Sequence, residues 1–138
     1  MKTPLQIEHI LVKKDRMIAD VAVSDSRFAY TNPALIERLS GDYPFLLSHA
    51  CVNDKGTTFG AVAERTSLPH LLEHMVIEDQ VRLERLGSCS QPVLYTGKTF
   101  WTNEEELKAR IEVRYADDLV ALRAFRIASE RLNSAVLE

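Results

Sequence analysis

The strongest constraint on this chain is one helix with marked ends. Ser67-Leu68-Pro69 is a helix start, with a capping serine and a proline inside the first turn, and Gly87 is the matching stop. Between them, Leu68, Leu71, Leu72, Met75, Val76, Leu83 and Leu86 fall within one broad stripe at about 100° per residue. That spacing predicts an amphipathic helix of five turns, whose apolar face needs a layer to pack on.

The flanking segments suggest what that layer is. Residues 6–25 read as a β-hairpin turning at Lys13-Lys14-Asp15-Arg16, and Asn32-Pro33 opens a short helix, Ala34 to Leu39. Phe45, Leu46 and Leu47 look buried, Asn53-Asp54-Lys55-Gly56 is a polar turn, and residues 57–65 have room for a short helix. A strand from Val93 to Phe100, a turn at 102–106, a strand from Ala109 to Tyr115 and a closing helix from Leu119 to Leu132 follow the long helix. Val120, Leu122, Phe125, Ile127 and Leu132 are read as the closing helix's apolar surface. The order predicts an α+β fold, with helices packed on a small, largely antiparallel sheet and residues 1–138 forming a single domain.

Composition closes off several functions. Seventeen Lys+Arg against twenty Asp+Glu give a net charge of -3, which argues against nucleic acid as the main partner, since phosphate binding needs clustered positive charge. Apolar runs are only a few residues long, so no membrane span is expected. The first residues lack a signal-peptide core and two cysteines make no disulfide framework, so the expected compartment is the cytoplasm. There is no phosphate loop and no Gly-x-Ser-x-Gly nucleophile.

The chemistry lies on the long helix. His70 and His74 are four residues apart, so their rings project from one side, one turn apart. Ile77 and Val81 share that arc, with Glu78 beside it, which suggests a cleft or second packing surface rather than solvent. Two neutral imidazoles at this spacing suit a Zn²⁺ ion, and Glu73 completes the pattern His-x-x-Glu-His, in which the glutamate is the catalytic general base on a water. The competing reading is two histidines bonded to core carbonyls on an ordinary helix. A third metal ligand is expected from Cys51 or His49, a His-x-Cys pair before the turn leading back to this helix, with Glu78 as another candidate. Cys89, in a polar loop, is a poorer one.

His49-Ala50-Cys51, Thr58-Phe59-Gly60 and the run Thr66 to Gln80 together resemble the N-terminal domain of cyanophycin synthetases. There a His-x-Cys element precedes a helix bearing His-x-x-Glu-His-x-x-x-Glu-x-Gln. The resemblance covers roughly residues 48–132, with Pro69 standing where the family often has glycine. Cyanophycin is an aspartate backbone carrying arginine side chains. The family's ATP-dependent steps belong to ATP-grasp and ligase-like domains that these 138 residues do not contain, so the chain is not expected to make the polymer. The resemblance implies binding of a peptide-like or arginine-rich polymer, in some members with a metallopeptidase-like centre at the helix motif. It would place His70, Glu73 and His74 in that centre, with His49 and Cys51 as neighbours. Glu64, Glu78 and Asp79 are acidic residues that could meet arginine groups. The bare motif also occurs in pitrilysin-type zinc peptidases and in S-ribosylhomocysteine lyase, which are analogies of chemistry.

The first expectation is therefore a metal-dependent hydrolase-like protein acting on an amide. The alternatives are a non-catalytic binding or accessory protein with an inert motif, and a lyase using the same metal. Tyr95, Phe100 and Trp101 could line a groove or an oligomer contact, with core packing expected of at least two of them. The exposed edge of a small antiparallel sheet is where a homodimer would form.

Overall fold

A computed structural model describes residues 3–86 and 96–138. The fold is α+β. Strands β1 (Leu5–Val12) and β2 (Arg16–Val23) form the first hairpin, and β5 (Gly97–Asn103) and β6 (Lys108–Arg114) form another. They join through β2 and β6 into one antiparallel sheet of order β1-β2-β6-β5. A bulge between Ile7 and His9 interrupts β1.

Alternation sorts the sheet into two faces. Met17, Ala19, Val21, Ala109, Ile111 and Val113 are buried under the helices. The other face carries a cross-strand ladder of opposite charges, Lys108 with Glu8, Arg110 with Asp20, and Arg16 with Glu112. Helix α2 (Leu68–Leu86) lies over β5 and β6, and α3 (Asp118–Leu137) lies beside it and reaches β1. Helix α1 (Pro33–Ser40) is capped by Asn32, whose side chain accepts from Leu35 N, and it packs on α3.

Three departures from the sequence reading have physical causes. The buried face of α3 is Ala121, Ala124, Ala128 and Ala135 around Phe125 and Leu132, while Val120, Leu122 and Ile127 sit half-buried at its margins. Small residues let α3 approach its neighbours closely. Residues 50–58 form a miniature hairpin, β3 (Ala50–Asn53) with β4 (Gly56–Thr58), followed by two single 3₁₀ turns rather than a helix. Helix α2 is buried beyond both its leucine stripe and the His70–His74 arc, since Glu73, Asp79 and Gln80 are buried along with Leu68, Leu71 and Leu72. It is the central element, covered by the sheet on one side and by the β3–β4 hairpin and its flanking turns on another.

Of the three aromatics, Trp101 packs edge-on against Tyr30 beside the core, and Phe100 is exposed on β5. Tyr95, the strand start at residues 93–95, the stop at Gly87 and Cys89 lie outside the described residues. Among the described residues no helix is long and apolar enough to cross a membrane.

Candidate metal centre

The site follows from two periodicities that match. In extended backbone, residues two apart point the same way about 6.6–6.8 Å apart, and on a helix residues four apart lie about 6 Å apart. His49 and Cys51 on the extended segment entering β3 therefore meet His74 and His70 on α2 rung for rung. Cys51 Sγ lies 3.5 Å from His70 Nε2, and His49 Nδ1 lies 3.1 Å from His74 Nδ1. Ala50, between them, faces outward.

The ring protons follow from the partners. Thr66 Oγ1, 2.8 Å from His70 Nδ1, can accept its N–H and leave Nε2 with a lone pair towards Cys51. His49 Nε2 sits 3.1 Å from Glu78 Oε1, and a carboxylate requires a donor there. With a lone pair at His49 Nδ1, His74 donates from its own Nδ1 and keeps Nε2 free. This assignment is compatible with every contact and presents both helix histidines through Nε2. Phe59 fixes the rings by packing, stacked on His74 at 4.2 Å and edge-on to His70 at 5.0 Å.

Ligand atoms of Cys51, His70 and His74 all lie within 4.8 Å of one another, and this cluster could hold a metal ion. Donors around a tetrahedral ion sit about 3.5 Å apart, close to the separation of Cys51 from His70. The structure thus brings together three residues singled out in the sequence. His49 stands on the far side of His74, bonded to its other nitrogen, and Glu78 stands behind His49.

Glu73 is buried beside the cluster, its Oε2 3.6 Å from His74 Nε2 and its Oε1 accepting from Thr99 Oγ1 at 2.7 Å. Burial pushes its carboxyl up to about 7, against the smaller opposing pull of the Thr99 hydroxyl. Burial also drives His74 down to about 3, helped by the neighbouring His70 and His49, and it lowers His70. Both helix imidazoles are thereby held neutral, the form that binds a metal. These donors, with Ile77, form the floor of a cleft of about 530 Å³ walled by residues 50–53 and 96–99.

Two acidic residues read as surface groups are not available to an arginine-rich ligand. Asp79 is buried and bonded to Tyr43 Oη at 2.7 Å and to Arg82 at 3.1 Å, while Glu78 is buried against His49. Glu64 is exposed, away from the cleft lining. Sequence reasoning missed Thr66, Thr99 and Gly97. An alanine-type Cβ at Gly97 would come within 3.0 Å of Glu73 Oε2, so the glycine leaves room for that carboxyl. A threonine carries no periodic signal, and only the fold shows its partner.

No family model, curated protein or solved structure matches the chain.

Proposed function

We propose that the cleft is the active site of a zinc-dependent hydrolase-like protein acting on an amide or peptide-like substrate. The observation that supports it is the conjunction at one point of three possible metal donors and a buried carboxyl 3.6 Å from one of them. Two imidazoles and a thiolate suit Zn²⁺, and three protein ligands rather than four are the pattern of catalytic zinc sites. When bound, the metal would supply Lewis acidity and lower the pKa of a coordinated water towards about 7.

The chain's own residues do the rest. Thr66 and the His49–Glu78 pair hold the two histidine rings in the tautomer that presents Nε2. Thr99 fixes one oxygen of Glu73, so the other is free to exchange a proton. Glu73 accepts a proton from the attacking water and returns it to the departing amide nitrogen. The resemblance to the cyanophycin synthetase N-terminal domain supports an aspartate-backbone peptide carrying arginine as the substrate to try first.

Protein purified without chelator and refilled with zinc should hold one equivalent. His70→Ala should lose it, and Glu73→Gln should keep the metal while losing cleavage of arginine-bearing aspartyl peptides. Less than stoichiometric metal, with no effect of His70→Ala, sinks the reading. Stoichiometric zinc with no amide cleaved favours the non-catalytic binding protein instead.

A further inference from the structure

Among the described residues the sheet ends at β5, which is paired only with β6. The register shows which backbone groups that leaves over. Arg114 N donates to Thr96 O at 2.9 Å, so Thr96 turns its backbone towards β6. In an antiparallel pair this alternates, so Lys98 and Phe100, opposite Glu112 and Arg110, do the same. Gly97 and Thr99, in between, direct their N–H and C=O groups to the other side. Residues 96–99 are one wall of the cleft that holds the donor cluster. The Thr99 side chain meanwhile bonds to Glu73. Among the described residues, a strand edge without a further partner, a cleft and the candidate base therefore share one short segment.

We infer that the substrate binds as an extended peptide strand added to this edge, exchanging main-chain hydrogen bonds with Gly97 and Thr99. This rests on the cleft being the reactive one, as proposed above. Groups two residues apart on an extended peptide recur every 6.6–6.8 Å or so, the spacing that Gly97 and Thr99 present. Main-chain pairing gives affinity independent of sequence, and side chains at alternate positions give selectivity. The substrate class is then a flexible peptide backbone of about four residues, matched to the four cleft-lining positions. A small cyclic molecule lacks the repeating donors and acceptors. Strand addition lays the peptide backbone beside the Glu73 carboxyl, since Thr99 touches both.

Residue-resolved amide exchange tests this with capped penta-alanine amide as the probe, at millimolar concentration, on zinc-loaded and chelator-treated protein in parallel. Without peptide, the Gly97 and Thr99 amides should exchange at least about ten-fold faster than those of Lys98 and Phe100. With peptide, the first pair should slow by at least about ten-fold and the second pair stay unchanged. Methylating the peptide nitrogens that pair with the edge should abolish the slowing, and methylating the alternate ones should not. Protection of Gly97 and Thr99 before peptide is added, or no alternation on adding it, overturns the inference. The pattern appearing in protein that binds no zinc or cleaves nothing overturns only the hydrolase reading, and cleavage without the pattern overturns only the strand-addition reading.

Discussion

His49 and His74 face each other through their Nδ1 atoms at 3.1 Å, and His49 passes the contact on to Glu78 through its other nitrogen, also at 3.1 Å. In the proposed site this would extend the carboxylate–histidine–metal pairing by one imidazole, fixing the ring of His74 and making His49 a positioning residue.

His49→Ala should therefore leave one equivalent of zinc bound, but about 10–100-fold more weakly. His74→Ala and Cys51→Ala should do more damage, because they remove donors themselves. Competition with a chromophoric chelator measures all three. With cobalt in place of zinc, the thiolate charge-transfer band should vanish in Cys51→Ala and persist in His49→Ala. Loss of stoichiometric metal in His49→Ala, equal to that in His74→Ala, would make His49 a direct ligand.

Burial shifts two neighbours in opposite senses, and the metal-free protein should show it. Glu73 is raised from 4.5 to about 7, so between those pH values the folded chain keeps a proton that the unfolded chain releases. Stability contributed by Glu73 falls as pH rises through that window. His74 is lowered from 6.5 to about 3, so there the unfolded chain binds the extra proton and stability rises with pH. The two effects oppose each other over their shared range. Glu73→Gln removes the first alone and retains an acceptor for Thr99. Its stability relative to the parent should climb with pH above 4.5, gaining on the order of 3 kcal/mol by pH 8 at about 1.4 kcal/mol per pH unit. Urea denaturation of chelator-treated proteins at pH 4.5, 6 and 8 checks this. A gap that does not change with pH would mean the carboxyl ionises as easily inside as outside.

The sequence was legible where punctuation and periodicity agree. Ser67 and Pro69 mark the start of α2, and Ser67 Oγ does accept from His70 N at 3.2 Å. Asn32 and Asp117 likewise mark the helices they cap, with Pro33 at the first position of α1. Both long hairpins show as alternating apolar residues around polar turns. The β3–β4 hairpin did not show, because strands of four and three residues, Ala-Cys-Val-Asn and Gly-Thr-Thr, carry too little pattern. The buried polar side of α2 was hidden for a different reason. Periodicity assigns polar residues to solvent, and here Glu73, Asp79 and Gln80 are buried with partners supplied by Thr99, Tyr43 and the Arg114 carbonyl. Those partners are 26 to 36 positions away in sequence.

The alanine face of α3 carries its own prediction. Ala124 is fully buried where α3 lies on its neighbours, in a core packed closely enough that a longer side chain is expected to move the helix. Ala124→Leu should destabilise by about 1–3 kcal/mol through overpacking. Arg123→Leu, at the adjacent exposed position, should stay within about 0.5 kcal/mol. Equilibrium unfolding of both variants decides whether the closeness of α3 matters, and equal effects would show that it does not.

Gly97 links the sheet edge to the candidate base. Its backbone is not in the left-handed region, so only space restricts it. An added Cβ would meet Glu112 O at 2.7 Å, a backbone atom that cannot swing aside, and Glu73 Oε2 at 3.0 Å. Gly97→Ala must therefore shift β5 relative to β6, and it crowds the carboxyl as well. Both effects change how Glu73 sits relative to His74 without touching Cys51, His70 or His74. The expected result is a stability loss of about 1–3 kcal/mol and unchanged zinc stoichiometry. Amide cleavage should fall in kcat by about 10–100-fold, since a misplacement near 1 Å at a reacting group has effects of that order. Zinc content, urea midpoint and kcat on one preparation separate these terms. A variant with full kcat would show that Glu73 keeps its place without the glycine, and that the close approach of β5 to α2 is packing alone.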